Sequence, residues 1–132
     1  MSTPTQFINP PEIAKSNGYT HVVDTRGQRT IYISGQVPLD VAGNLVGRDD
    51  LRAQTVQIFE NLKYALASVG ADFTHVVKLT YFYVDITQIQ IVRDVRDQYV
   101  NTSAPPASSA MEVTRLFREG ILLEIEAIAV IP

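Results

Sequence analysis

Two apolar, strand-like runs towards the C-terminal end each carry carboxylates, and no other stretch restricts the fold as strongly. The first is Pro105-Pro106-Ala107-Ser108-Ser109-Ala110-Met111-Glu112-Val113. After a turn at Phe117 to Gly120 comes the second, Leu122-Leu123-Glu124-Ile125-Glu126-Ala127-Ile128-Ala129-Val130. A buried charge is costly unless it is paired or put to use, so Glu112, Glu124 and Glu126 each need an explanation. Successive side chains of a strand point to opposite faces. Glu124 and Glu126 therefore project together with Leu122 and Ile128, whereas Leu123, Ile125, Ala127 and Ala129 line the other face. Two explanations of the pair stay open: two solvated acids on a half-exposed sheet face, or a lined cleft where a carboxylate of raised pKa moves protons or orients a water.

Upstream, Gln6-Phe7-Ile8 reads as a short edge strand closed by Asn9-Pro10-Pro11, since proline cannot donate to a central ladder. His21 to Asp24 and Thr30 to Ser34 flank Arg26-Gly27-Gln28, the pattern of two antiparallel strands joined in a hairpin. Asp49-Asp50 supply a helix N-cap. From Leu51 to Val69 the residues Val56, Phe59, Leu62, Leu66 and Val69 recur at helical spacing, and Gly70 stands where a left-handed C-terminal cap belongs. Val76 to Val84 reads as a central strand with Val77, Leu79, Tyr81 and Tyr83 on one face. Asp85 or Thr87 can cap a second helix from about Gln88 to Val100, with Ile91, Val92, Val95 and Tyr99 as its apolar stripe and Arg93, Asp94, Arg96 and Asp97 on its polar side. The order implies an α+β domain spanning residues 1–132: one mixed six-stranded sheet with two helices packed on one face. The bare face is expected to be apolar and to be covered by self-association.

At 132 residues and 45% apolar content, one domain with its own core is expected. Eleven basic and fourteen acidic residues give a net charge of −3 with no basic patch, which argues against a nucleic-acid partner. The absence of cysteine removes disulfides, thiolate nucleophiles and most structural zinc designs, and His21 and His75 lie too far apart in sequence to suggest a metal site. The residues Met1 to Gln6 have neither a basic nor an apolar leader region, and no apolar run approaches the ~20 residues that cross a bilayer. A cytoplasmic protein without a membrane partner is the default expectation.

Ser34-Gly35-Gln36-Val37-Pro38, the helix from Leu51 to Gly70 with Asn61-Leu62, Val77-Lys78-Leu79-Thr80, and Pro106-Ala107 through Glu112-Val113, Arg115-Leu116 and Ile125 to Val130 together resemble the Rid family of reactive intermediate deaminases, also known as YjgF proteins. The resemblance runs over nearly the whole chain. It implies a chorismate-mutase-like fold assembled as a homotrimer around a central barrel, with three clefts between subunits. It also implies hydrolysis of small 2-enamino or 2-imino acids to 2-oxo acids and ammonia with no cofactor and no metal. Active members hold the substrate carboxylate with an arginine two residues after the proline of the Pro-Ala segment. Here that residue is Ser108, which has no charge and no planar fork, and the neighbouring family cysteine is replaced by Ala110.

By the same resemblance, Tyr19, Ser34 and Gly35 border the cleft and Glu124 positions a water, which makes Glu124 the candidate catalytic residue. Ser108, Ser109 and Arg93 join Tyr19, Ser34 and Gly35 as candidate substrate-binding groups. Arg93 and Arg96, three apart on one helix face, can reach a cleft edge or remain a solvated face paired with Asp94 or Asp97. A serine nucleophile is disfavoured because no elbow motif or partner histidine accompanies Ser108 or Ser109. Two functions follow: a cofactor-free hydrolase of the imine and enamine deaminase type, or a non-catalytic trimer that binds a small metabolite or a partner protein in the same cleft.

Overall fold

Residues Leu51–Ala67 wind into helix α1 because Asp50 caps them, its carboxylate accepting the Ala53 N–H at 3.1 Å, and because Ile58, Phe59, Leu62 and Leu66 form one fully buried stripe. Gly70 takes the left-handed conformation at φ +76° just beyond the helix. This computed structural model describes residues 5–13, 15, 16 and 18–132. The part of the leader reading that concerns residues 1–4 lies outside them. The remaining elements are strands β1 (Gln6–Ile8), β2 (Val22–Asp24), β3 (Arg29–Gln36) and β4 (Val76–Tyr83), helix α2 (Ile89–Arg96), and strands β5 (Ala107–Glu112) and β6 (Leu123–Ile131).

Two helices and six strands are thus present in an α+β arrangement. Four strands form a mixed sheet in the order β3-β6-β4-β5, antiparallel except for the β4–β5 pair, and β1 and β2 form a separate antiparallel ribbon. The hairpin expected between His21–Asp24 and Thr30–Ser34 is not formed. β2 pairs with β1, while β3 pairs with β6 over the span from Arg29 to Gln36. The long apolar strand β6 offers β3 far more buried contact than the three-residue β2 could, so the non-local pairing prevails over the local turn.

The core lies between the sheet and the helices, where Leu79, Tyr81, Tyr83, Leu123, Ile125, Ala127 and Ala129 meet the apolar faces of α1 and α2. In β6 the alternation is as the sequence implies. In β4 it is broken at the start: Val76 is buried and Val77 is not, because Val76 pairs with Ala129 and Lys78 with Ile128, so Val77 is an extra bulged residue that flips the parity. Asp85 caps a 3-10 turn at Ile86–Gln88 rather than α2 itself, and Glu112 closes the same turn by accepting the Ile86 N–H at 3.1 Å. α2 ends at Arg96, four residues short of the expected Val100, and the chain continues as a turn whose Val100 N–H bonds Arg96 O.

The sheet face turned away from the helices carries Tyr32, Ser34, Lys78, Thr80, Glu126 and Ile128 around one shallow groove. It was expected to be apolar and is mixed instead, because its alternate positions hold charged and hydroxyl residues between the aromatic and aliphatic ones. Tyr32 is 78% exposed there. Among the described residues no helix is long and apolar enough to cross a membrane.

Candidate functional site

α2 lies across the β4–β5 end of the sheet, and between them is a cavity of about 120 Å³ lined by Tyr19, Tyr81, Tyr83, Ile89, Val92, Arg93, Arg96, Ser108, Ser109 and Ala110. Each wall has a local cause. Tyr81 and Tyr83 alternate with Leu79 on the helix side of β4, and the parallel register sets Ser108 beside Leu79 and Ala110 beside Tyr81. Arg93 and Arg96 occupy one face of α2 because they are three residues apart. Tyr19 is brought in by Thr20, whose buried hydroxyl donates to Pro105 O at 2.5 Å and whose N–H bonds Pro106 O at 3.2 Å, which pins this segment to the entry of β5.

Arg96 is only 9% exposed, so the solvated helix face allowed by the sequence does not describe it. Its Nε donates to Asp97 Oδ1 at 2.9 Å. Among the described residues Arg93 has no ion pair, and no aspartate or glutamate lines the cavity. Gly18, in the left-handed region at φ +81°, lets the backbone approach the guanidinium so closely that a Cβ there would lie 2.4 Å from Arg96 Nη2. Burial pushes the Tyr83 phenol up to about 12 against the opposing pull of Arg93 and Arg96, and burial likewise drives the Tyr81 phenol upward against Arg96. Among the described residues the buried Tyr81 hydroxyl has no hydrogen-bond partner. Ser108 is near enough to ease the titration of Tyr81 a little, yet no hydrogen bond of acceptable geometry joins the two hydroxyls.

The second group of candidates sits on the opposite side of the sheet. Ile33 pairs with Ala127 and Gln36 with Ile125, so Ser34 and Gly35 form a bulge in β3. The Glu124 side chain lies over that bulge: a Cβ on Gly35 would be 2.1 Å from Glu124 Oε2 and 2.9 Å from its Cγ. Burial raises the Glu124 pKa, and the neighbouring charge of Glu126 adds to the rise. Ser34 lines the adjacent groove with Lys78, Thr80 and Glu126. Lys78 Nζ donates to Ser109 Oγ at 2.9 Å, so Ser109 links the groove to the far cavity.

Of the residues singled out in the sequence, the cavity gathers Tyr19, Arg93, Ser108 and Ser109, whereas Ser34, Gly35 and Glu124 form a second cluster across the sheet. The three glutamates separate accordingly: Glu112 is a cap, Glu126 is exposed, and Glu124 is half-buried with a raised pKa. Sequence reasoning did not place Tyr81 and Tyr83 in the site, although their alternation with Leu79 puts them on the helix side. The commitment of Arg96 to the interior also went unseen, because the proximity of Gly18 that encloses it is not local in sequence. His75 has a capping role in the turn before β4, its Nδ1 accepting the Asp72 N–H at 3.0 Å.

Comparison with known proteins places this geometry in context. Residues 10–131 match the family described as endoribonuclease L-PSP. Protein DfrA of Myxococcus xanthus is 40% identical over 112 residues, 85% of this chain and 84% of that protein. The 2-iminobutanoate/2-iminopropanoate deaminase of Bos taurus is 41% identical over 102 residues, 77% of this chain and 73% of the deaminase. Among solved structures, the Rid-family protein YyfB from Yersinia pestis, whose function is unknown, superposes with a TM-score of 0.85 at 32% identity, covering 98% of this chain and all of that one. RidA from an Antarctic Psychrobacter gives a TM-score of 0.72 at 29% identity, covering 96% of this chain and 99% of that one.

Proposed function

Because the chain belongs to the Rid (YjgF) family, we propose that it is a cofactor-free hydrolase of the imine and enamine deaminase type, acting on small 2-imino or 2-enamino acids in the cytoplasm. The observation that carries this reading is the cavity between α2 and β4–β5: a small, tyrosine-walled space, whose Arg93 has no ion pair and whose lining has no acid among the described residues, suits a small carboxylate. Arg93 takes the role that Ser108 cannot fill, with the Ser108 and Ser109 hydroxyls as further donors. Some relatives are named 2-iminobutanoate/2-iminopropanoate deaminases, which agrees with the chemistry.

Burial, helped by the charge of Glu126, raises the pKa of Glu124 and so makes its carboxylate a better proton acceptor. Glu124 accepts a proton from water as the oxygen bonds to the imine carbon and passes it to the nitrogen, which gives the carbinolamine. The carbinolamine hydroxyl then gives its proton, through Glu124, to the amine as the C–N bond breaks, releasing ammonia, leaving a 2-oxo acid and returning Glu124 to its carboxylate form. Within one chain Glu124 and Arg93 lie on opposite sides of the sheet, so a substrate touching both requires a second copy. The proposed assembly is a closed homotrimer, in which a second copy supplies whichever of the two groups the first cannot bring to the substrate.

Ammonia release from 2-imino acids generated in situ tests the activity, with Arg93→Gln and Ser108→Arg measured beside the natural chain. Turnover that Arg93→Gln weakens supports the reading. Ser108, standing where active relatives are expected to carry arginine, favours a second reading: a trimer that binds a metabolite or a protein without catalysis. Ligand-induced thermal stabilisation with no ammonia release from any imino acid would select it. RNA cleavage is not part of the proposal, since a net charge of −3 disfavours a polyanion. A cleavage assay on purified protein checks that exclusion.

A further inference from the structure

Arg93 alone would satisfy a single carboxylate, yet a second guanidinium faces the same cavity. Arg96 spends its Nε on Asp97, and Gly18 lets the chain close over its terminal nitrogens. The Tyr81 hydroxyl, on a residue 3% exposed and set in the cavity wall, is a third polar group without a partner. A buried hydroxyl left unpaired costs about 1–3 kcal/mol, so its persistence here points to a ligand that satisfies it. The remaining walls, Ile89 and Val92, are aliphatic and suit a short carbon chain between two polar ends. The cavity is small, about 120 Å³, and its aliphatic stretch between polar groups suits a short-chain acid.

We infer that this cavity recognises a small dicarboxylate, with one acid group on Arg93 and the other on the terminal nitrogens of Arg96 with the Tyr81 hydroxyl. The substrate of the proposed hydrolysis is then a 2-imino acid whose side chain ends in a second carboxylate. That last step rests on the hydrolase reading, whereas the binding site does not. Arg96 already has Asp97 as its counter-ion, so a monocarboxylate on Arg93 would leave no bare charge, but it would leave the Arg96 terminal nitrogens and the Tyr81 hydroxyl without a ligand oxygen.

Isothermal titration of the full chain with succinate, butanoate and inorganic phosphate tests the site directly. Succinate is expected to bind about tenfold or more tighter than butanoate, the gain of one charge-assisted pair. Arg93→Gln should erase that preference, and Tyr81→Phe should weaken succinate severalfold while leaving butanoate unchanged. Arg96→Gln is the sharper variant, but its loss of a buried charge can unfold the protein, so the first two variants decide the question. Equal affinity for succinate and butanoate, or phosphate binding as tightly as succinate, would overturn the inference. Preferential succinate binding with no ammonia release from any imino acid would uphold the site and refute the hydrolase instead. Normal release from 2-iminobutanoate without a succinate preference would do the reverse.

Discussion

On the helix side of the sheet, Arg93 and Arg96 sit among tyrosines in a half-open cavity with no acid in its walls. On the open side, Glu124 and Glu126 project from the same strand beside a bulge, with Lys78 as the nearby cation. Both regions draw on β4 and its neighbours, and the alternation of strand side chains separates them. The helix side has the charge and shape to hold an anion, and the open side has the carboxylate whose pKa favours proton transfer. Neither region carries both properties, so chemistry that needs an anchor and a base requires that the two sides be brought together.

The sharpest way to break this contrast is Glu124→Gln. Turnover should fall about 10²–10⁴-fold, the usual worth of a positioned general base, while sedimentation shows the same assembly as the natural chain. Unchanged turnover would remove Glu124 from the mechanism. Arg93→Gln should act on the other region and raise KM about tenfold or more with less effect on kcat, as expected for a lost charge-assisted hydrogen bond of about 1.5–3 kcal/mol. An effect confined to kcat would mean that Arg93 does not hold the ground-state substrate.

Gly35→Ala sharpens the contrast from the side of the bulge. The added methyl would stand 2.1 Å from Glu124 Oε2 and displace the carboxylate. Turnover should fall by about tenfold while the affinity for a carboxylate probe at the helix-side cavity holds. Coupled loss of both would show that the two regions are not independent. The smallest effect is expected from Glu126→Gln. Glu124 must be ionised to act as a base, and the like charge of Glu126 helps raise its pKa, so the variant should move the acid limb of the kcat/KM profile to lower pH. A limb that stays in place would assign it to another group.

Much of this was legible in the residues. The caps, spacing and glycine stop of α1, and the two-sided character of β6, follow from periodicity and capping chemistry that act over a few residues. Tyr19 and Ser108, which the resemblance sets at one cleft, line one cavity with Arg93, a candidate from helix spacing, whereas Ser34, Gly35 and Glu124 lie across the sheet. The hairpin failed as an expectation because a glycine turn between short runs supplies less than the long antiparallel partner that β6 offers to β3. The parity at Val77 failed because a bulge is a property of two strands, and one strand's sequence does not display it.

The amino-acid order by itself determined the α+β class, the two helices, the inward face of β6 and the types of residue available for chemistry, because these depend on local propensity and hydrophobic period. The tertiary structure alone decided that Arg96 is enclosed, that the Tyr81 hydroxyl lacks a partner, and that Glu124 faces away from the cavity holding Arg93. Each of those outcomes is set by contacts between segments tens of residues apart, whose energies depend on packing and desolvation rather than on neighbours in the chain.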